Sequence, residues 1–448
     1  MMQVTHHLPA WLLGCLPVRF ARRCASESAP VTAAAASPEP DRQLLVDVSV
    51  IHQSDAGTGI QRVVRSLLLQ LLQAPPAGYK VCPIFATRQH GYCYVAPRFV
   101  AQPAHAPEAA GESLQAKVQV QSGDFFLGLD LAAHLLPHHQ AQLLCWKRSG
   151  VKVHVVVYDL LPLQHPKWFN PKTTRNFKRW IKWVAVYADS AICISETVKM
   201  DLRVWLSARF NLPSATLAIN TIVLGADIDA SAPSDGLPAN AQFLLARLRN
   251  TPAVLMVGTL EPRKGYDQAL AAFELLWQQS SSAPLLVLVG RSGWKTEALQ
   301  EKLRTHAQAG KRLFWLQDAS DEYLTNLYAT CQGVLVASRA EGFGLPLIEA
   351  ALYDKPVLAR DLPVFREIAL PGATFFSGEE PAQLASAITH WLPKSAHGSG
   401  TKAKPRRSVG TWQTTARQLI EVLGLPSNPH DKSDVNTETD SFRQMGEA

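Results

Sequence analysis

The feature that most constrains this chain is a strict alternation of short apolar runs and amphipathic segments between Ala253 and Ala359. Strands are predicted at Ala253–Gly258, Leu285–Gly290, Leu313–Leu316, Gly333–Ala337 and Pro356–Ala359. Helices are predicted between them at Tyr266–Gln278, Lys295–Ala309, Asp321–Thr330 and Leu345–Leu352. Runs such as Leu285-Leu286-Val287-Leu288-Val289 are apolar at every position, as strands covered on both faces must be. Short connections between such elements imply right-handed crossovers and a doubly wound parallel sheet. Ligands in such sheets bind beyond the carboxyl ends of the strands, which directs attention to the loops after Gly258, Gly290, Leu316 and Ala337.

A second series of the same kind precedes it. Leu44–Ile51 runs into Gly57-Thr58-Gly59 and a helical pattern from Ile60 to Leu72, and further strands are expected at Lys80–Ala86, Asp124–Leu129, Val151–Tyr158 and Ala191–Ser195. A length of 448 residues suits two such α/β domains. The expected division is a flexible N-terminal arm over 1–42, a first Rossmann-like domain over 43–235, a second over 236–410, a helix returning over 411–425, and a disordered tail over 426–448. An interfacial segment is the alternative reading of the arm. Its apolar stretch, Leu8 to Val18, is broken by Pro9, Gly14 and Pro17 and is too short to span a bilayer. With 47% hydrophobic and 18% charged residues the chain is neither wholly disordered nor polytopic. Seven scattered cysteines without a C-x-x-C pair suit reduced thiols and a cytoplasmic setting. The formal charge of +7 leaves anionic partners open, although a basic surface alone accounts for it.

Two clusters carry chemistry. Gly258-Thr259-Leu260-Glu261-Pro262-Arg263-Lys264-Gly265 puts two adjacent cations at a strand's carboxyl end, where Arg263 offers a bidentate fork and Lys264 a mobile point charge for a diphosphate. Alone, the pair is equally a solvated turn. Glu341-Gly342-Phe343-Gly344-Leu345-Pro346-Leu347-Ile348-Glu349 is a glycine-rich turn opening a helix, whose N-terminus favours an anion. Glu341 in the loop and Glu349 one turn into the helix can face one cleft, orienting sugar and ribose hydroxyls respectively.

Together, Gly258–Gly265, Glu341–Glu349 and the late Trp412–Leu423 helix resemble the donor site of family 4 glycosyltransferases, group 1 type, of the GT-B fold. The resemblance extends from about residue 44 to 424. It implies two Rossmann-like domains facing across a cleft, a nucleotide-diphosphate sugar as co-substrate, retention of anomeric configuration and no required metal or other cofactor. In such enzymes Arg263 and Lys264 neutralise the diphosphate and Glu349 binds ribose, while Glu341 and the Phe343–Leu345 backbone engage the donor sugar and phosphates. Gly57-Thr58-Gly59-Ile60-Gln61-Arg62 resembles the family's glycine loop, with Gly57, Gly59 and Arg62 facing the donor. Arg62 is read equally as a partner for a neighbouring acid. Tyr158-Asp159 stands where many relatives carry His-Asp, which leaves Tyr158 and Asp159 as candidate groups near the reacting sugar and the acceptor.

Ser195-Glu196 resembles the family's cleft-facing Ser-Glu element and equally an N-cap. The string Asp227-Ile228-Asp229 is discounted as a metal site. Arg175–Tyr187 mixes cations with Phe177, Trp180, Trp183 and Tyr187. It reads as core packing or, second, as a surface resting on anionic membrane. The expected activity is transfer of a hexose, mannose foremost, to a glycan or lipid-linked glycan acceptor in surface polysaccharide or lipopolysaccharide O-chain synthesis, with no nucleic acid partner. A GT-B nucleotide-sugar epimerase and a non-catalytic nucleotide-sugar-binding protein are the alternatives.

Overall fold

A computed structural model describes residues 8–26, 42–96, 116–228, 233–369, 372–396 and 410–427. The first domain is a seven-stranded sheet of β1 (Arg42–Asp47), β2 (Tyr79–Phe85), β3 (Cys93–Tyr94), β4 (Phe125–Gly128), β5 (Lys152–Val157), β6 (Ser190–Cys193) and β7 (Ala218–Thr221), in the order β3-β2-β1-β4-β5-β6-β7. All neighbours are parallel except β2 and β3. The second is a six-stranded, all-parallel sheet of β8 (Ala253–Val257), β9 (Leu285–Val289), β10 (Leu313–Leu316), β11 (Gly333–Val336), β12 (Val357–Arg360) and β13 (Thr374–Phe376), in the order β10-β9-β8-β11-β12-β13. In both, strand order reverses beside the first strand, so the loops after β1 and β4, and after β8 and β11, splay apart and leave a crevice. Each sheet is buried on both faces: Leu285–Val289 is covered along its whole length.

The predicted elements of the second sheet fall within a residue or two of those observed, apart from the Lys295–Ala309 helix, observed over Glu297–Thr305. In the first domain the run Leu44–Ile51 divides, because after β1 the Asp47 carboxylate accepts from Ser49 N at 2.9 Å and Asp130 accepts from Val50 N and Ile51 N, at 2.8 and 2.7 Å. These bonds satisfy the first turn of a short helix, Ser49–Gln53.

The flexible arm expected over 1–42 needs correction between residues 8 and 26. Two helices, Ala10–Cys15 and Val18–Ser26, pack on the Gln140–Arg148 and Pro171–Tyr187 helices of the first domain. Ala10, Leu13, Val18, Ala21, Cys24 and Ala25 are buried with Phe177, Trp180 and Trp183. Arg22 donates to Ala185 O and Ala188 O, at 3.0 and 2.8 Å, and so caps the carboxyl end of the Pro171–Tyr187 helix. The aromatics of Arg175–Tyr187 are therefore core, and cannot be the surface that rests on a membrane. The Ser427–Ala448 tail lies outside the described residues from 428 onward.

The returning helix, Trp412–Val422, leaves the second domain and packs on the first. Trp412, Ala416, Leu419, Ile420 and Leu423 share a core with Val46, Val63, Leu67 and Ile222. Thr415 Oγ1 donates to Val223 O at 2.8 Å, and Asp227 Oδ1 accepts from Trp412 N at 2.8 Å. Gly225 is required there, since a Cβ would lie 2.3 Å from Trp412 N. Asp227 thus holds a helix start, and Asp229 lies outside the described residues. Among the described residues no helix is long and apolar enough to cross a membrane.

Candidate active site

On the second-domain side, β8 ends at Val257 and the chain turns through Gly258 and Pro262–Lys264 to Gly265. Gly265 has φ +71°, and a Cβ there would meet Ala337 O at 2.3 Å, so only glycine lets this turn lie against the end of β11. That contact brings the two sequence clusters together. Glu341 is clasped by Arg263 Nη1 and Lys264 Nζ and accepts from Ser338 Oγ at 2.8 Å. Burial works against its charge, but the two cations and the donated hydrogen bonds more than offset this and hold the carboxyl at about 2. Arg263 also donates to Glu261 Oε2 at 2.8 Å and to Ala340 O at 3.2 Å. Its guanidinium is thus spent on carboxylates and backbone, and organises the loop as much as it offers charge.

Gly344, with φ +133°, precedes the Leu345–Leu352 helix and supplies no side-chain cap; Leu347 N donates to Gly344 O at 2.9 Å and Pro346 has no N–H, so what this end offers an anion is the positive end of the helix dipole. Glu349 sits in that helix at 2% exposure. Tyr328 OH donates to its Oε2 at 2.6 Å, and Arg62 of the first domain pairs with its Oε1. Arg62 also reaches Asp321 Oδ1 at 3.0 Å. Of the two readings of Arg62, the structure brings about the acid-pairing one, with Glu349 as a partner.

Arg62 is aimed across the cleft by a capping box. Thr58 Oγ1 accepts from Gln61 N at 3.3 Å, while Gln61 Oε1 accepts from Thr58 N at 3.1 Å and Ala56 N at 2.9 Å. Gly57, at φ +63°, makes that turn, and Gly59 comes within 3.8 Å (from a Cβ built on it) of Leu345 Cδ1. The glycine loop therefore stands over the start of the Leu345–Leu352 helix.

Beyond β5, Gly342 abuts the first domain: a Cβ on it would lie 1.9 Å from Tyr158 O and 3.0 Å from Asp159 Cβ. Ser195 serves both of its predicted roles, accepting from Val198 N at 3.1 Å as an N-cap and donating to Gly342 O at 2.8 Å. Asp159 accepts from Leu161 N at 3.0 Å. Burial raises its carboxyl to about 6, with Glu341 and Glu261 adding to the rise and Arg263 opposing it. Tyr158 lies elsewhere than expected. Its ring is in the first-domain core and its hydroxyl donates to Leu129 O at 2.7 Å, so its backbone, not its phenol, borders the site. Phe343 is likewise buried and contributes packing. His154 is a packed residue, 2.7 Å from Ser190 Oγ and lowered to about 4 by burial. Tyr328, Asp321, Ser338 and Glu261 escaped the sequence reading. Ser338, three residues before Glu341, and Glu261, two before Arg263, carried a local signal, whereas Tyr328 and Asp321 lie far from either string.

Two parallel-sheet domains joined by a returning helix, with cations, a helix N-terminus that has no side-chain cap and two carboxylates converging on the cleft, define a protein of the GT-B fold. Its likeness to solved structures agrees. Anabaena Alr3699/HepE in complex with UDP and glucose superposes with a TM-score of 0.56 at 18% identity, covering 85% of this chain and 99% of that one. The sucrose-phosphate synthase of Thermosynechococcus elongatus gives 0.59 at 19% identity over 86% and 98%. Residues 244–404 match the glycosyl transferases group 1 family. It is 42% identical over 386 residues to the serotype-specific mannosyltransferase WbdA of Escherichia coli, covering 86% of this chain and 46% of that one. It is 29% identical over 221 residues to O-antigen chain mannosyltransferase B of Escherichia coli, covering 48% and 56%. The chain spans about half the length of these curated relatives.

Proposed function

We propose that the protein is a retaining, metal-independent hexosyltransferase that moves mannose from a nucleotide-diphosphate sugar to a glycan or lipid-linked glycan acceptor during lipopolysaccharide O-chain synthesis, at the inner face of the cytoplasmic membrane. The observation that carries this reading is the convergence of Lys264, Glu341 and the uncapped Leu345–Leu352 N-terminus at one end of the cleft. A departing nucleoside diphosphate gathers negative charge as the glycosidic bond breaks. The ammonium of Lys264 and the positive end of the helix dipole oppose that charge in a site already shaped for it. Glu341, kept ionised, accepts hydrogen bonds from donor sugar hydroxyls, and Glu349 accepts from ribose. Asp159, poised near neutrality, lies on the acceptor side of the same junction. The names of the relatives, mannosyltransferases of O-antigen chains, favour mannose and an O-chain.

The test is release of nucleoside diphosphate from GDP-, UDP- and ADP-sugars with EDTA present, followed by mass spectrometry. Turnover of one donor, lost in Glu349→Ala and Lys264→Ala, supports the proposal. Donor binding without turnover, with acceptor glycan supplied, overturns it in favour of a binding protein. Appearance of an epimerised donor without acceptor overturns it in favour of an epimerase.

A further inference from the structure

The two N-terminal helices bury one side against the first domain and turn the other to solvent. Trp11 is 67% exposed and Phe20 48%, although each belongs to a helix whose neighbouring residues, Ala10, Leu13, Val18 and Ala21, are fully covered. Isolated exposed apolar residues are ordinary, but a large aromatic on each of two adjoining helices, ringed by one sign of charge, is not. Residues 8–26 and the two helices beneath them, Gln140–Arg148 and Pro171–Tyr187, contain ten lysines and arginines and no aspartate or glutamate; of the ten, Lys147 is buried and paired with Asp189, so nine bear on the surface. The whole chain carries +7, so the remainder is net negative and the positive charge is concentrated on this side.

The helices are pinned. Lys182 Nζ donates to Gly14 O at 2.6 Å, Arg148 Nη2 to Leu8 O at 2.8 Å, and Arg22 to the two carbonyls already described. Arg19, Arg22, Arg23, Ser26, Pro213 and Thr216 line a cavity of about 400 Å³ at the edge of the face. Arginines bordering one hollow suit a phosphate group, which they grip with planar forks.

We propose that Trp11, Phe20 and the surrounding cations form an interfacial docking surface for an anionic phospholipid bilayer, with the arginine-lined cavity receiving a lipid phosphate. Tryptophan and phenylalanine insert at the level of the headgroups, and Arg19, Lys178 and Arg179 lie in the negative surface potential of the leaflet. The surface depends on a preformed fold and buries no spanning segment. It deepens the reading of the acceptor as lipid-linked, by holding the cleft of a membrane-bound enzyme near its acceptor.

The experiment is co-sedimentation of the full chain with vesicles of phosphatidylcholine alone or with about 30 mol% phosphatidylglycerol, at low and high salt. The wild type is expected to sediment only with the anionic vesicles and to be released by salt. Trp11→Ala/Phe20→Ala and, separately, Arg19→Glu/Lys178→Glu are each expected to weaken binding by roughly tenfold or more. The aromatic variant is expected to keep the wild-type melting temperature and rate of nucleoside diphosphate release in vesicle-free solution. Failure to sediment, equal binding to neutral vesicles, or unchanged binding of the aromatic variant overturns the surface. Vesicle binding without donor turnover by any protein would overturn the proposed function and leave this surface standing.

Discussion

Arg62 and Glu349, 287 residues apart and in different domains, form an ion pair across the cleft, with Tyr328 holding the far oxygen of the carboxylate. Glu349 is buried, and Arg62 and Tyr328 are its hydrogen-bonding company. Arg62→Ala strands it and is expected to cost roughly 1–3 kcal/mol of stability. In Arg62→Ala/Glu349→Gln the loss is expected to be smaller than the sum of the single changes. A thermal double-mutant cycle with no coupling would disprove the pairing.

Glu341 accepts from three donors, and of the two cations among them Arg263 also pairs with Glu261, while Lys264 has no second carboxylate partner among the described residues. Lys264→Met and Glu341→Gln are each expected to lower donor turnover by about 10²–10³-fold, the scale of removing one preorganised charge-stabilising group. Arg263→Lys is expected to act more through the melting temperature, because lysine cannot bridge Glu261, Ala340 O and Glu341 at once. Steady-state rates beside melting curves separate the two behaviours.

The meeting of the domains at Gly342 has no room for a methyl group. Gly342→Ala is expected to hold the domains apart, with a larger radius of gyration by small-angle scattering and turnover reduced by roughly 10²-fold, since misplacement by about an ångström is enough for such a loss. Normal turnover in this variant would show that the contact at Tyr158 O is not needed for reaction.

Asp159 gives a pH signature. Its folded carboxyl titrates at about 6, above the ordinary 3.8, so between these values the folded state holds a proton that the unfolded chain has released. That contribution is complete below about pH 4 and is lost as pH rises through 6, to the extent of roughly 2 kcal/mol after allowing for its partial exposure. Asp159→Asn is expected to remove this slope. Glu341, held at about 2, acts in the opposite sense, and the stability it gives is lost as pH falls below about 4.5. Chemical denaturation of wild type and Asp159→Asn at pH 4 and 7 checks the difference.

The second sheet was legible because its strands are apolar on both faces and its helices amphipathic, a contrast that short segments express locally. The same property hid Tyr158: where both faces of a strand are buried, alternation does not reveal which way its last residue points. The N-terminal helices were illegible for a different reason. Pro9, Gly14 and Pro17 interrupt the periodicity, and the surface that orders residues 8–26 belongs to Phe177, Trp180 and Trp183, more than 150 residues away. The candidate site was readable in its residue types, since Gly258–Gly265 and Glu341–Glu349 each carry a recognisable string. Its wiring was not: that Arg263 is engaged by two glutamates, and Arg62 by Glu349, depends on long-range closure that no window of sequence contains.

The return of the Trp412–Val422 helix to the first domain sets an order on the life of the chain. Val46, Val63, Leu67 and Ile222 are synthesised early, yet the Trp412, Leu419 and Ile420 side chains that cover them emerge only after the second domain is complete. A ribosome-bound chain stopped near residue 240 would therefore display an apolar groove where the finished protein has a helix. The earlier of the two domains to be translated closes last, and its groove stays uncovered for as long as the second domain takes to appear.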